Sequence, residues 1–188
     1  MDKSEGKNTT VVLIGLMGSG KSSVARSLAF RLQVEAVDTD ALVESAAQMP
    51  IASIFSEAGE GEFRRLETKQ LKAALQCFGV IATGGGIVTQ PENRALLQEA
   101  RAKGVLVVYL RASAGELARR IRLQPGKRPL IDGDGILNWK QTQKRVEDLL
   151  TQRAPLYESV ASIIIDTGAP APAAVADEIA QILSAKDS

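Results

Sequence analysis

The sequence contains no histidine and a single cysteine, Cys77. Those two absences exclude Ser-His-Asp and Cys-His nucleophilic sites, His-ligated zinc, CxxC redox pairs and any disulfide within one chain. Acid–base chemistry is left to Asp, Glu, Lys or Tyr. Cys77 stands beside Phe78, ahead of an apolar run, and is expected to be a packed small hydrophobe rather than a reactive thiol. A lone thiol suits a reducing compartment, so a cytoplasmic protein is expected. Aromatic residues make up 4% of the chain. The stacking platforms of single-strand nucleic-acid binders are therefore scarce, and the core must be aliphatic. An excess of either charge is missing as well: 23 Lys and Arg oppose 22 acids, a net +1. That balance leaves no electrostatic footprint for nucleic acid or an anionic membrane. The longest apolar stretches, Val11 to Gly18 and Val105 to Leu110, fall far short of the roughly 20 residues that span a bilayer. Residues 1–10 are polar and of mixed charge, without the apolar centre of a signal peptide or the Arg-rich character of a transit peptide, and read as a short disordered lead-in.

What is present is the length and pattern of one α/β domain. The chain has 188 residues, 45% of them apolar, which is enough for one core. Five runs rich in Val and Ile read as strands: Val11 to Gly15, Val34 to Val37, Val80 to Thr83, Val105 to Leu110 and Ser162 to Ile165. Helical spacing of apolar residues falls between them, over Lys21 to Gln33, Glu62 to Gln76, Glu92 to Arg101 and Ala114 to Arg122, with a terminal helix over Val175 to Leu183. Ser113 and Glu116 form a possible capping box for the fourth of these. Alternation of this kind predicts an α/β fold, a five-stranded parallel sheet with helices on both faces, occupying residues 11–188 as a single domain. Leu123 to Gly135, reading LQPGKRPLIDGDG, breaks the rhythm. Rich in Gly, Pro and charge, it is expected to be a mobile lid loop over about 123–135.

Gly15-Leu16-Met17-Gly18-Ser19-Gly20-Lys21-Ser22 matches G-x-x-x-x-G-K-[ST] between an apolar strand and a helix, the context that gives this motif its meaning. Glycines turn successive N–H groups toward phosphate oxygens and the following helix presents its positive end. Lys21 reaches the outer phosphates and the Ser22 hydroxyl can ligate magnesium. The usual partner motif is an apolar strand ending in Asp, yet Val80 to Thr83 runs into Gly84 and Val105 to Leu110 runs into Arg111. The metal-side carboxylate must come from elsewhere. Asp38 and Asp40 close the second strand; Asp40 could simply cap the next helix, but beside a phosphate loop lacking another acid the pair is better read as part of the site. An N-K-x-D guanine signature is missing, which argues against a GTPase switch. Arg64 and Arg65 could be a solvated helix face, and Arg153, expected at the end of a helix, could serve the helix dipole. Gly84-Gly85-Gly86 after a buried strand exceeds what a turn needs and suggests close backbone approach to a ligand.

Taken in order, G-L-M-G-S-G-K-S, D-T-D at 38–40, E-F-R-R-L-E at 62–67, G-G-G at 84–86, R-P-L at 128–130 and R-A-P-L-Y at 153–157 resemble the shikimate kinase family over nearly the whole chain. The resemblance implies a P-loop NTPase fold, a single P-loop kinase domain over 11–188, and magnesium-dependent transfer of the ATP γ-phosphoryl group to the 3-hydroxyl of shikimate. It implies that Gly18, Ser19, Gly20, Lys21, Ser22 and Ser23 hold the nucleotide phosphates, Ser23 standing where the family commonly has Thr. Asp38 and Ser22 would hold magnesium, Asp40 would bind substrate hydroxyls and accept the proton, and Arg64 and Arg153 would clamp the carboxylate with Gly85 and Gly86 beside them. Arg128 would close over the phosphates as the lid arginine, catalytic together with Asp40 and Lys21, and Arg120 and Pro172 would flank adenine. A monomer is the family default, with ATP and shikimate as partners and neither nucleic acid nor membrane. A kinase of the same fold acting on a sugar acid, and a catalytically dead relative, are the competing readings.

Overall fold

The runs Val11–Ile14, Val80–Ala82 and Leu106–Leu110, apolar on both sides, can only be buried by covering both faces of a sheet, and they lie at its centre, fully buried. The computed structural model describes residues 10–77, 79–123 and 138–186. Its strands are β1 (Thr10–Ile14), β2 (Ala36–Asp38), β3 (Gly79–Ala82), β4 (Leu106–Arg111) and β5 (Ile163–Asp166). They form one parallel sheet in the order β2-β3-β1-β4-β5, with Val12 opposite Ile81 on one side and opposite Val107 on the other. Order reverses beside β1, and the crevice beyond the carboxyl ends at such a reversal is where ligands bind in open α/β sheets.

The period of two along each strand sorts its side chains between two cores. Val11, Leu13, Val80, Val108 and Leu110 face α1 (Lys21–Leu32) and α8 (Pro172–Lys186), meeting Val24, Leu28, Val175 and Ile179. Val12, Ile14, Ile81, Val107 and Tyr109 face the opposite layer. That layer includes α4 (Gly59–Ala74), α5 (Pro91–Ala102), α6 (Ala114–Leu123) and α7 (Trp139–Val160). Tyr109 stacks on Tyr157 with ring centroids 4.9 Å apart. Two short helices, α2 (Thr39–Ala47) and α3 (Ile51–Glu57), precede α4 in the chain. With α4 they build a third small core of Val43, Ile54 and Phe63 that stands off the sheet.

Strand positions agree with the sequence pattern to within one or two residues, and three features differ. The pattern gives no range for α2, α3 or α7, although it expects a helix after Asp40 and another ending near Arg153. In α7 a capping box between Asn138 and Gln141 starts the helix and Pro155 lies inside it, so the proline that suggests a helix end in the sequence is absorbed within 22 residues of helix. The terminal helix begins at Pro172, three residues ahead of the expected start at Val175. Cys77 is exposed, not packed. It lies in the turn between α4 and β3, where its N–H closes on Ala74 O at 3.0 Å and the side chain is left outside both cores. Among the described residues, no helix is long and apolar enough to cross a membrane.

Candidate active site

The phosphate loop connects β1 to α1. Gly15, Gly18 and Gly20 all have positive φ, at 146°, 82° and 92°, the conformations that turn backbone amides inward and that other residues resist. Lys21 is buried at the start of α1. Its Nζ donates to Gly15 O at 2.8 Å and Leu16 O at 3.1 Å, folding the ammonium over its own loop. Ser22 and Ser23 occupy the first turn of α1. Ser22 Oγ donates to Asp38 Oδ2 at 2.8 Å, which brings together the two residues expected to share magnesium. Asp38 also caps α2, its Oδ1 accepting from Asp40 N–H at 3.0 Å. The cap suggested for Asp40 therefore belongs to Asp38, and the Asp40 carboxylate is left for another task.

Asp40 points toward the mouth of β3. Its Oδ1 is buried with no hydrogen-bond partner among the described residues, as is Oε1 of Glu67. Burial, then the nearby Asp38 and Glu67 charges, push the Asp40 carboxyl up from 3.8 to about 6, against an opposing pull from Lys21. A carboxyl poised there is ionised at neutral pH and still basic enough to accept a proton. Glu67 is fully buried. Burial raises its carboxyl too, countered by Arg64 and more distantly by Arg153.

Arg64 and Glu67 lie one turn apart on α4, where i,i+3 side chains meet. Arg64 Nη1 donates to Glu67 Oε2 at 2.8 Å, and its Nε and Nη2 reach Glu60 Oε1 at 3.2 and 3.0 Å. Arg65 behaves differently: exposed, it pairs with Glu62, the solvated face that both arginines could have formed. Gly84 and Gly86 let these side chains approach the sheet. A Cβ on Gly84 would lie 2.6 Å from Asp40 Oδ1 and 2.7 Å from Glu67 Oε1, and one on Gly86 would collide with the Arg64 guanidinium. The glycines thus make room for the site's own charged groups. A cavity of about 450 Å³ opens here, its floor formed by Asp40, Arg64, Glu67 and Gly84–Gly86 and its far wall by Phe55 and Phe63.

Arg153 lies well inside α7 and not at its end, so the dipole role does not apply. It is buried and donates from Nη1 to Gly85 O at 3.1 Å; the Tyr157 hydroxyl donates to the same carbonyl. Arg153 thereby supports the glycine strip under the cavity, within electrostatic reach of Glu67. Arg120, on α6, is held by Glu116 at 2.6 Å. It donates to Gly18 O in the phosphate loop at 3.4 Å and to the Thr167 carbonyl beyond β5. Ser113 accepts from Glu116 N–H at 3.3 Å, half of the expected capping box, because the Glu116 side chain is committed to Arg119 and Arg120. Pro172 is the exposed first residue of α8. Arg128 and most of the expected lid lie outside the described residues. Glu67 is a site residue that the sequence pattern does not single out, although its spacing from Arg64 is the signal available.

The sequence model described as shikimate kinase matches residues 17–184. The chain belongs to the shikimate kinase family. A shikimate kinase from Mycobacterium avium (strain 104) is 43% identical over 94% of this chain and 94% of its own. One from Prochlorococcus marinus (strain MIT 9313) is 39% identical over 91% and 83%. Among solved structures, shikimate kinase from Acinetobacter baumannii in complex with shikimate superposes with a TM-score of 0.87 at 32% identity, covering 98% of this chain and 97% of that one. As a member of this kinase family, the chain is an ATP-dependent small-molecule kinase.

Proposed function

We propose that this shikimate kinase family member transfers the γ-phosphoryl group of ATP to the 3-hydroxyl of shikimate, giving ADP and shikimate 3-phosphate in aromatic amino acid biosynthesis. The observation that carries this reading is the convergence of the unpartnered Asp40 carboxylate and the Arg64 guanidinium on one cavity beside the phosphate loop. Arg64 offers a planar fork that suits a substrate carboxylate, with Arg153 close behind through Gly85. Asp40 takes the proton from the attacking hydroxyl as the oxygen–phosphorus bond forms and the bond to ADP breaks. Lys21 and the loop amides meet the charge on the transferred group, and closure of residues 123–135 would bring Arg128 to it.

Magnesium would be held by Ser22 Oγ and Asp38, hard oxygen donors already within 2.8 Å of each other. Among the described residues no three acidic, His or Cys side chains cluster as a complete cage, which suits an ion that takes one or two protein oxygens, waters and substrate phosphates. When bound, it neutralises phosphate charge. The same reading assigns the reaction to the cytoplasm and to a monomer with one P-loop kinase domain over 11–188 behind a short lead-in. Its test is ADP formation by the purified chain with shikimate, gluconate and nucleoside monophosphates in parallel. Stimulation by shikimate alone is expected; preference for gluconate would favour the sugar-acid reading, and no stimulation by any acceptor a catalytically dead relative.

Arg64→Ala is expected to raise the KM for shikimate by roughly 10- to 150-fold, the loss of a charge-assisted bond worth about 1.5–3 kcal/mol, with the KM for ATP nearly unchanged. Initial rates over both substrates decide; a loss of ATP binding first would move Arg64 to the nucleotide side. For the lid, hydrogen exchange across 123–135 should slow when ADP and shikimate bind together. Equal protection in free and bound protein would remove the case for closure.

A further inference from the structure

The segment beyond β5 is fastened to the phosphate loop by contacts that the sheet does not require. Thr167 N–H continues the β4–β5 ladder by donating to Arg111 O at 2.7 Å. Its hydroxyl then lies 3.2 Å from the Ser19 carbonyl, 148 positions away in sequence, and 3.1 Å from Arg111 O. The hydroxyl's one proton is shared between these two carbonyls; the backbone N–H already ties Thr167 to Arg111, so the link that only the side chain supplies is the one to Ser19. Thr167 is only 3% exposed, which keeps water from competing for it. Its carbonyl accepts from Arg120, the guanidinium that also reaches Gly18 O and Gly168 O, each at 3.4 Å. One residue therefore holds the phosphate loop through its side chain and α6 through its carbonyl.

We propose that Thr167 is a positioning residue for the nucleotide, its hydroxyl keeping the phosphate loop and the segment that leads into α8 at a fixed spacing. The proposal rests on the reading of ATP as phosphoryl donor and concerns how its site is assembled. A nucleoside triphosphate extends beyond the amides that hold its phosphates, and the neighbours at Gly18 and Ser19 are Arg120 and Thr167–Gly168. Two elements that grip one ligand bind it more tightly when their spacing is set before it arrives, because less ordering is left to binding. Thr167 lines no part of the cavity at Asp40 and Arg64, so the effect belongs to the nucleotide alone.

Thr167→Val removes the hydroxyl and keeps shape, N–H and carbonyl; Thr167→Ser restores the hydroxyl. In the full chain, the valine variant is expected to raise the KM for ATP about fivefold, the scale of one neutral hydrogen bond, with kcat and the KM for shikimate within about twofold of the parent. The serine variant should return ATP to near the parent value. Calorimetric titration with magnesium and ADP should show the same loss without any turnover. An unchanged ATP KM and ADP affinity, a parallel loss in kcat and both KM values, or failure of serine to restore binding would each overturn the proposal. If the valine variant does not fold, Thr167→Ala is compared with Thr167→Ser by the same readouts. Absence of turnover by the parent chain would count against the phosphotransfer reading, while the ADP titration would still decide the role of Thr167.

Discussion

Asp40→Asn is expected to lower kcat by roughly 10²–10⁴, the range a general base contributes, while the KM for ATP stays within about threefold. The substitution keeps size and removes the only property the mechanism needs, a carboxylate able to take the proton of the attacking hydroxyl. Two pH dependences follow from a carboxyl raised from 3.8 to about 6. In the parent protein kcat should fall as pH drops through about 6, because the protonated acid cannot act as the proposed base. Stability runs in the opposite sense. A carboxyl whose folded value is raised contributes least when ionised, so its favourable share is present below the unfolded value and lost as pH rises from about 4 through about 6. Removing the charge should therefore stabilise the fold at pH 8, by up to about 3 kcal/mol for a shift of about two units, and leave stability at pH 3.5 little changed. Thermal unfolding at both pH values checks this, and an asparagine variant that turns over normally would end the role assigned to Asp40.

Lys21→Met should lower kcat/KM for ATP by at least roughly 10²–10³, the effect of removing one preorganised donor from developing charge. Methionine keeps much of the buried stem and removes the ammonium, and with it the hydrogen bonds to Gly15 O and Leu16 O at 2.8 and 3.1 Å. A second consequence separates this role from a structural one. Lys21 pulls the Asp40 carboxyl down against burial and its acidic neighbours. Without it, Asp40 should titrate still higher, and the acid limb of the residual activity should move toward neutral pH. Residual rates across pH 5–8, with circular dichroism to establish the fold, test both parts; near-normal kcat in a folded variant would contradict them.

Residues that act through their own stretch of backbone are readable in the chain. The phosphate loop is such a case: the glycines, Lys21 and Ser22 lie within one strand–turn–helix unit, and their roles depend on backbone conformation that those residues impose. The parallel sheet is readable for a similar reason, because strands buried on both faces show as continuous apolar runs. Asp38 and Asp40 are visible as a pair but not as different groups. Only the start of α2 decides that Asp38 caps it and bonds Ser22, leaving Asp40 Oδ1 buried and without a partner among the described residues. Arg64 and Arg65 are neighbours in sequence and indistinguishable by type; the turn of roughly 100° between successive helix residues sends one to Glu67 and the cavity and the other to solvent.

Local conformation and the available chemistry, from the anion-binding loop to the lack of any histidine base, are properties of the amino-acid order. Folding then selects which of those groups meet. Glu67 acquires its place through burial between Arg64 and Gly84, Arg153 through a helix that continues past Pro155, and Ser19 meets Thr167 across 148 residues. Each of these depends on packing between elements far apart in the chain, where spacing along the sequence carries no distance information, and burial is the leading cause that raises the Asp40 carboxyl above the ordinary range.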